Sequence, residues 1–166
     1  AVADFGIALQ FDPRCANAYF GRGFVRQMSG ELQAAINDYS TAIELNPKFA
    51  LAYSNRAHAR SHSGELDAAL LDYDRALQLN PRLTEALNGR GAVRGRKGDI
   101  QGALRDLDRA IRISPRYPQA CFNRGIARHA KGDLPGAAAD FDRAIELDAQ
   151  MPEAFRARGD VRFDQR

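Results

Sequence analysis

Arginine and aspartate are the residues of this chain whose types and regular spacing could do chemistry. Two arginine series recur every 34 residues and lie four residues apart in each cycle: Arg22, Arg56, Arg90, Arg124 and Arg158, followed by Arg26, Arg60, Arg94, Arg128 and Arg162. An aspartate series keeps the same interval: Asp4, Asp38, Asp72, Asp106 and Asp140. A guanidinium group can bind a phosphate or an acidic peptide, and it can equally pair with a carboxylate inside the fold. The pattern therefore indicates either a basic binding stripe or a ladder of structural ion pairs.

The regular co-repetition of the first arginine series with a carboxylate favours the ladder. A partly buried guanidinium needs a bidentate acceptor, so we expect Arg56, for example, to pair with Asp38 or with Asp72. For the second series, which begins at Arg26, the sequence leaves both interpretations open.

Histidine and cysteine provide little further chemistry. His58 and His62 lie one helical turn apart, which is the spacing of two metal ligands, but no third ligand follows at a diagnostic interval and the glutamate of H-E-x-x-H is missing. Cys15 and Cys121 are too far apart in the sequence to resemble a metal cluster. Because nucleophile, phosphate-loop and dinucleotide motifs are also missing, we expect no catalytic, cofactor or metal site, and we expect that the protein is not an enzyme.

Composition and charge exclude several classes of protein. The chain has 166 residues, 45% apolar and 27% charged, which is typical of a globular domain and not of a disordered or collagen-like chain. Lys and Arg number 24 against 21 Asp and Glu, so net charge alone does not demand nucleic acid or an anionic membrane as partner. The sequence contains no uninterrupted apolar stretch of the ~18 residues that a membrane span needs.

Proline and glycine keep the same 34-residue interval as the charged series. The prolines are Pro13, Pro47, Pro81 and Pro115, and the glycines are Gly30, Gly64, Gly98 and Gly132. Apolar residues recur at three- and four-residue steps within 18–28 and 32–45, which predicts two amphipathic helices. A glycine between them suits the left-handed residue that ends a helix. The chain thus divides into four complete units with a partial unit at each end: 1–15, 16–49, 50–83, 84–117, 118–151 and 152–166.

Small residues on both predicted helices indicate close helix packing. They are Gly23, Ala57, Gly91, Gly125 and Gly159 on first helices, and Ala35, Ala69, Ala103 and Ala137 on second helices. Larger residues in register are expected to fill the space between neighbouring units: Tyr39, Tyr73, Leu107 and Phe141. Because one hairpin cannot bury its own apolar face, the sequence predicts an all-α helical solenoid stabilised by stacking.

The second unit reads A-Y-S-N-R-A…G-E-L-D-A-A…D-Y-D-R-A-L-Q-L-N-P and resembles the tetratricopeptide repeat. The resemblance extends over essentially the whole chain. It implies that residues 1–166 form a single right-handed superhelical solenoid of 34-residue helix–turn–helix repeats. It also implies a non-catalytic interaction scaffold whose first helices line a concave groove that binds a peptide segment of a partner protein.

The same resemblance assigns the groove-facing positions, which are the ones that vary between units. The candidates are Asn17, Phe20, Phe24, Met28, Leu51, Asn55, His58, His62, Asn88, Arg96, Phe122, Asn123, Ile126 and His129. One subgroup of the family holds the terminal carboxylate of heat-shock chaperones with a lysine, asparagine and arginine clamp. That clamp is not expected here, because only Asn55 and Asn123 match it in kind.

The expected partner is therefore a protein or peptide. The alternative is a nucleic acid or phospho-ligand bound through the repeating arginines, and we do not expect nucleic acid because the ladder accounts for them. Ala1 falls within a predicted second helix and Arg166 at the close of a first helix, and neither end has the polar cap that a solenoid needs. We therefore expect apolar surface at both ends, in a segment of a longer array or in a chain that stacks end to end with another copy.

Overall fold

The computed structural model describes residues 2–164, and over this range the chain is all-α, without a strand. The helices are α1 (Val2–Phe11), α2 (Ala16–Met28), α3 (Leu32–Leu45), α4 (Ala50–His62), α5 (Leu66–Leu79), α6 (Thr84–Arg96), α7 (Ile100–Ile113), α8 (Pro118–Lys131), α9 (Leu134–Leu147) and α10 (Pro152–Asp164). The positions of α2 and α3 confirm the two helices expected from 18–28 and 32–45. The expectations for Ala1 and Arg166 lie outside the described residues.

Glycine ends the first helix of each hairpin, as predicted. Gly30, Gly64, Gly98 and Gly132 have φ values of 80°, 85°, 85° and 84°, the left-handed conformation that favours glycine. Behind Gly30, the Glu31 N–H donates back to the carbonyl oxygen of Arg26 at 2.9 Å. This bond closes the helix end as a Schellman motif and satisfies a carbonyl that the helix itself leaves unpaired. The same closure recurs after each of the other three glycines.

The chain forms two compact units, Ala1–Ala86 and Leu87–Arg166, and the division falls in the first turn of α6. In the first unit α2 packs on α3, α4 packs on α5, and α3 packs on α4, while α1 lies against α2. Its core includes Tyr39 and Tyr73, whose side chains are almost completely buried. Antiparallel helix hairpins stacked in chain order thus build this unit, as expected for a helical-repeat fold.

The second unit is built in the same way. α8 packs on α9, and α7 and α10 pack on these helices from either side. Leu107 and Phe141 take the buried places in its core that Tyr39 and Tyr73 take in the first unit. Proline stands at or next to the first residue of α8, α9 and α10, where its missing N–H costs no helical hydrogen bond.

Glycine on a first helix lets the large residue of the following helix approach the backbone. A Cβ atom placed on Gly125 would lie 2.6 Å from the ring of Phe141, and one placed on Gly91 would lie 2.8 Å from Leu107. The larger residue therefore packs against the glycine of its own hairpin. Phe141 also clusters with Val161 of α10, which confirms the predicted packing between neighbouring repeats.

Two glycine-to-alanine substitutions are expected to change stability in opposite directions. Gly125→Ala should lower the free energy of unfolding by about 1 kcal/mol, because overpacking against Phe141 outweighs the gain in helix propensity. Gly95→Ala should raise it by about 0.5 kcal/mol, because its added Cβ would meet only Ala103, at 3.9 Å. Urea unfolding followed by circular dichroism measures both changes, and a loss of stability in Gly95→Ala would contradict the packing described here.

The first and last helices, α1 and α10, expose large apolar side chains, as expected. Ile7 and Phe11 of α1 are 52% and 86% exposed, and Phe163 of α10 is 77% exposed. Both cysteines, Cys15 and Cys121, are free thiols. Within residues 2–164 none of the helices combines the length and the apolar character needed to cross a bilayer.

Candidate peptide-binding surface

Four arginines of the first series form the predicted structural ladder, whereas Arg158 bonds to the half-exposed Asp142, which lies outside the repeating aspartate series. Arg22 donates from Nε and Nη2 to the two carboxylate oxygens of Asp38, at 3.0 and 2.7 Å. The same bidentate pairing recurs in three further hairpins: Arg56–Asp72, Arg90–Asp106 and Arg124–Asp140. The choice left open for Arg56 is thereby settled in favour of Asp72, within the same hairpin. Its remaining Nη1 donates to the hydroxyl of Ser40 at 2.9 Å.

Four arginines of the second series join the same carboxylates. Arg26 Nη1 donates to Asp38 at 2.8 Å, and three further pairs repeat this contact: Arg60–Asp72, Arg94–Asp106 and Arg128–Asp140. The side chain of Asp38 is only 4% exposed, so each carboxylate is a buried acceptor for two guanidinium groups. The backbone carbonyl of Arg26 also accepts the Schellman hydrogen bond at the turn. The second series thus fixes the hairpin, which favours the structural interpretation for it too.

The ladder limits what the arginines can do for a ligand. Hydrogen bonding to Asp140 raises the pKa of Arg124 above its usual value, and Asp108 contributes in the same direction. Arg124 stays charged, but its Nε and both Nη groups donate to carboxylates, so the donors that would bind a phosphate are engaged. Because two guanidinium groups share one carboxylate, each such cluster keeps a net positive charge. The hydrogen-bond geometry nevertheless favours a structural role for these arginines.

In the first unit, the predicted apolar groove residues differ in their surroundings. Phe20 is partly buried, with its ring centroid 4.9 Å from that of Phe49 and 5.7 Å from that of Tyr39. By contrast, Phe24 and Met28 on α2 are 48% and 73% exposed. Two further groove residues of this unit are exposed: Asn17 at the start of α2, and Leu51 in the first turn of α4.

The polar groove residues of the first unit form a hydrogen-bonded chain. Asn55 bonds to Tyr39, whose hydroxyl donates to Gln27 Oε1 at 2.9 Å. Gln27 Nε2 lies 3.0 Å from His58 Nδ1, so the neutral ring of His58 accepts this N–H. The His58 ring lies 4.3 Å from the ring of His62, and His62 Nδ1 lies 3.0 Å from the backbone oxygen of His58. The chain links α2, α3 and α4 at the predicted groove.

Burial and nearby charge shift the pKa values of two residues in this hydrogen-bonded chain. Burial raises the pKa of Tyr39 to about 12, so its hydroxyl stays protonated and remains a donor. Burial, with a smaller contribution from His62, lowers the pKa of His58 below its ordinary value of 6.5. Folding therefore favours the neutral form of His58, in agreement with its role as a hydrogen-bond acceptor.

Acidification should destabilise the protein through His58. Because its pKa is lower in the folded chain, the unfolded chain binds a proton more readily, and stability rises with pH between the folded pKa and 6.5. We expect the free energy of unfolding to fall as pH decreases through this window, and to be insensitive to His58 above it. Urea unfolding at a series of pH values checks this, and His58→Gln should flatten that part of the profile. An unchanged slope in the variant would contradict the expectation.

In the second unit, four of the predicted groove residues line one cavity between α6 and α8. Arg96, Phe122, Asn123 and Ile126 surround a volume of about 310 Å³ whose remaining lining is mainly alanine and glycine, with Ile100 at the start of α7. Ile126 is 44% exposed, so the cavity opens onto the protein surface. The fold thus brings Arg96 to the same cavity as three residues that lie 26 or more positions later in the sequence.

The other two predicted residues of the second unit take part in contacts between first helices. Asn88 accepts a hydrogen bond from Asn123 Nδ2 at 2.9 Å, which joins α6 to α8 and orients the Asn123 carboxamide at the cavity. His129 Nε2 lies 2.8 Å from a carboxylate oxygen of Asp164 on α10. In the described part of the chain, His, Cys, Asp and Glu form no group of three or more that could hold a metal ion.

Family models match most of the chain. A tetratricopeptide repeat model matches residues 88–152, a TPR repeat model matches residues 28–61, and a further tetratricopeptide repeat model matches residues 50–83. No curated protein is significantly similar to the chain in sequence.

Solved structures share the fold at low sequence identity. MamA is 24% identical over 92% of this chain and 89% of its own, with a TM-score of 0.77. YrrB, described as a TPR protein with an unusual peptide-binding site, is 22% identical over 99% of this chain and 85% of its own, with a TM-score of 0.77. The first TPR of Spaghetti (RPAP3), bound to the HSP90 peptide SRMEEVD, is 23% identical over 70% of this chain and 92% of its own, with a TM-score of 0.67. With its repeated hairpins and these matches, the chain belongs to the tetratricopeptide repeat family.

Proposed function

We propose that this protein is a non-catalytic scaffold that binds a peptide segment of a partner protein on its first helices. The observation that carries the proposal is the open apolar cavity of about 310 Å³ between α6 and α8, lined by Phe122, Ile126 and small residues. Binding sites of this kind combine apolar walls with a few polar groups that fix orientation, and Arg96 and Asn123 supply such groups here.

The first helices of the first unit carry matching features. Exposed Phe24, Met28 and Leu51 offer apolar contacts, and the chain of Asn55, His58 and neighbouring polar groups offers hydrogen bonds. Apolar anchors separated by polar positions suit a peptide held by a few side chains. Each unit therefore carries its own proposed surface, formed by the groove residues of that unit. Peptide binding by relatives of the same fold, namely YrrB and the RPAP3 repeat, supports the proposal by analogy.

The rival function, binding of nucleic acid or a phospho-ligand by the arginines, has less support. Four arginines of each series donate to buried aspartates, so phosphate contacts would compete with the ladder. If phosphate binding were the function, affinity for a single-stranded oligonucleotide would fall steeply and linearly with the logarithm of salt concentration.

Selection from a random peptide library on the immobilised chain tests the proposal. Selected peptides are then measured by fluorescence anisotropy against wild type and two surface variants, Phe24→Asp and Ile126→Asp. We expect at least one variant to weaken each selected peptide by about tenfold or more, because a charge replaces an apolar contact at the surface.

Leu71→Asp is the matched control, because Leu71 is also an exposed apolar residue, at 71%, but lies on the second helix α5. It should leave peptide affinity unchanged. Failure to select any peptide, or equal affinities for all three variants and wild type, would contradict a peptide-binding function of the first helices.

A further inference from the structure

The helix α10 exposes residues whose counterparts in α8, 34 positions earlier, are buried. Gly159 is exposed, and a Cβ atom placed on it would lie in open space. Its counterpart Gly125 is buried, and a Cβ atom placed there would lie 2.6 Å from the ring of Phe141 on α9. Phe155 is 44% exposed, whereas its counterpart Cys121 is 1% exposed and clusters with residues of α9. The face of α10 that corresponds to the α9-binding face of α8 is therefore open.

The helix α1 has the repeat register of a second helix, and its residues are less buried than their counterparts in α9. Phe5 is in register with Phe141, which is completely buried, but Phe5 itself is only partly buried. Ala8 is in register with Ala144, which is also completely buried, but Ala8 is exposed. Phe11, in the last turn of α1, is 86% exposed. The face of α1 that corresponds to the α8-binding face of α9 is open as well.

The contacts of Phe141 show what the open side of Phe5 can bind. Phe141 packs against Gly125 of α8, the first helix of its own hairpin, and clusters with Val161 of α10, the first helix that follows. Phe5 packs against Gly21 of α2, the first helix that follows it, where an added Cβ atom would lie 2.5 Å from the ring. Because Phe5 stays partly exposed, it has room for the other contact, with a first helix on its opposite side.

We infer that the open face of α10 binds α1 of a second copy of this chain, so that the two helices pair as α8 pairs with α9. Phe5 of the second copy fills the open space at Gly159. Ala8 and Phe11 of that copy cover Phe155. The repeat itself specifies this occupant, because a first helix packs on a second helix at α2–α3, α4–α5 and α8–α9. Since two different surfaces meet, the contact is head-to-tail, and each bound copy still offers one α10 and one α1.

Sedimentation equilibrium of the full chain measures this association. We expect the average mass to rise above that of one chain as the protein concentration increases, because mass action favours the bound form. A head-to-tail contact continues into larger species or closes into a ring, so the mass need not stop at two copies. A wild-type chain that stays monomeric up to about 1 mM would overturn the inference.

The variant Gly159→Gln separates association from folding. In a single copy the new side chain enters open space and glycine is replaced by a better helix former, so the melting temperature of the dilute protein should equal that of wild type or rise. In the complex the same side chain takes the place of Phe5, and the dissociation constant should rise about tenfold or more. Phe11→Asp should weaken association as strongly from the other surface, because it places a charge against Phe155. Equal association of Gly159→Gln and wild type would contradict the inference.

Ile7→Asp is the matched control, because Ile7 is also an exposed apolar residue of α1, at 52%. Its register counterparts in the other second helices are polar: Thr41, Arg75, Arg109 and Arg143. Ile7 therefore lies outside the face that binds a first helix, and its replacement should leave association unchanged. A loss as large as that of Phe11→Asp would overturn the proposed pairing.

An equimolar mixture of the two variants tests the head-to-tail geometry. Gly159→Gln retains a wild-type α1 and Phe11→Asp retains a wild-type α10, so one copy of each can form a single interface. We expect each variant alone to be monomeric at a concentration where the mixture forms a 1:1 complex that grows no further. A mixture that stays monomeric where wild type associates would overturn the pairing. The groove residues proposed for peptide binding lie on α2, α4, α6 and α8, so this outcome is independent of that function.

Discussion

Replacing Asp140 with alanine is expected to lower the free energy of unfolding by about 3 kcal/mol. Asp140 is 4% exposed at its side chain and accepts hydrogen bonds from Arg124 and Arg128, which are 19% and 28% exposed. Removing the carboxylate leaves Arg124 with only the half-exposed Asp108 and Arg128 with the Gly136 carbonyl as hydrogen-bond acceptors. Loss of the buried negative charge that both guanidinium groups share dominates the cost.

Asp108→Ala is the matched control for this experiment. Asp108 bonds to the same Arg124, through Nη1 at 2.8 Å, but its side chain is 48% exposed. Water and salt screen such a pair, so its removal should cost less than about 1 kcal/mol. Urea unfolding of the two variants and wild type, at low and high salt, measures the difference. Equal losses in both variants would show that burial of the carboxylate is not what makes the ladder stabilising.

The ladder also shows where the sequence was informative and where it was not. The spacing of Arg22 and Asp38 recurs in all four complete repeats, so an ion-pair ladder could be expected before the structure was known. The same periodicity places several aspartates in step with each arginine, and Arg56 could face Asp38 or Asp72. Only the hairpin geometry distinguishes them, because a residue 16 positions ahead lies across the turn on the adjacent helix.

The second arginine series was ambiguous for a related reason. Arg26 lies one turn after Arg22 and could have pointed away from the hairpin or toward it. It converges on the same carboxylate, since residues four apart share a helix face. Two donors on one acceptor could not be read from spacing alone, because each series taken separately is equally compatible with a ligand-binding stripe.

The helices and turns followed from local rules, whereas the cavity depends on departures from the repeat. Gly30 and its counterparts have the left-handed conformation that their sequence position predicted, because few other residues tolerate it. Ala92 and Gly95 of α6 line this cavity, whereas the first complete repeat has the larger Phe24 and Gln27 at the same positions. The repeat pattern does not show this difference, so the cavity was not predicted. Comparing each first-helix position across the hairpins would have revealed two small residues on the same helix, and this is the signal that sequence reasoning missed.

Phe141→Ala is expected to lower the free energy of unfolding by about 4 kcal/mol. The side chain is completely buried, packs against Gly125 of α8 and clusters with Ala137 and Val161. The glycine opposite the ring has no side chain with which to fill the space left by truncation. The surrounding backbone would have to collapse to remove the cavity. The loss of stability should therefore be well above the transfer free energy of the deleted side-chain atoms alone.

Phe141→Leu is the conservative control, because Leu107 occupies the same register against Gly91 with 1% exposure. The hairpin geometry therefore accepts leucine at this position, and we expect a loss of about 1 kcal/mol. Phe141 also supports Phe122, whose ring centroid lies 5.7 Å away and which lines the cavity between α6 and α8. Phe141→Leu should consequently weaken, severalfold, the selected peptides whose affinity falls in Ile126→Asp, while the chain stays folded. If leucine cost as much stability as alanine, the aromatic ring rather than filled volume would be the requirement at this position.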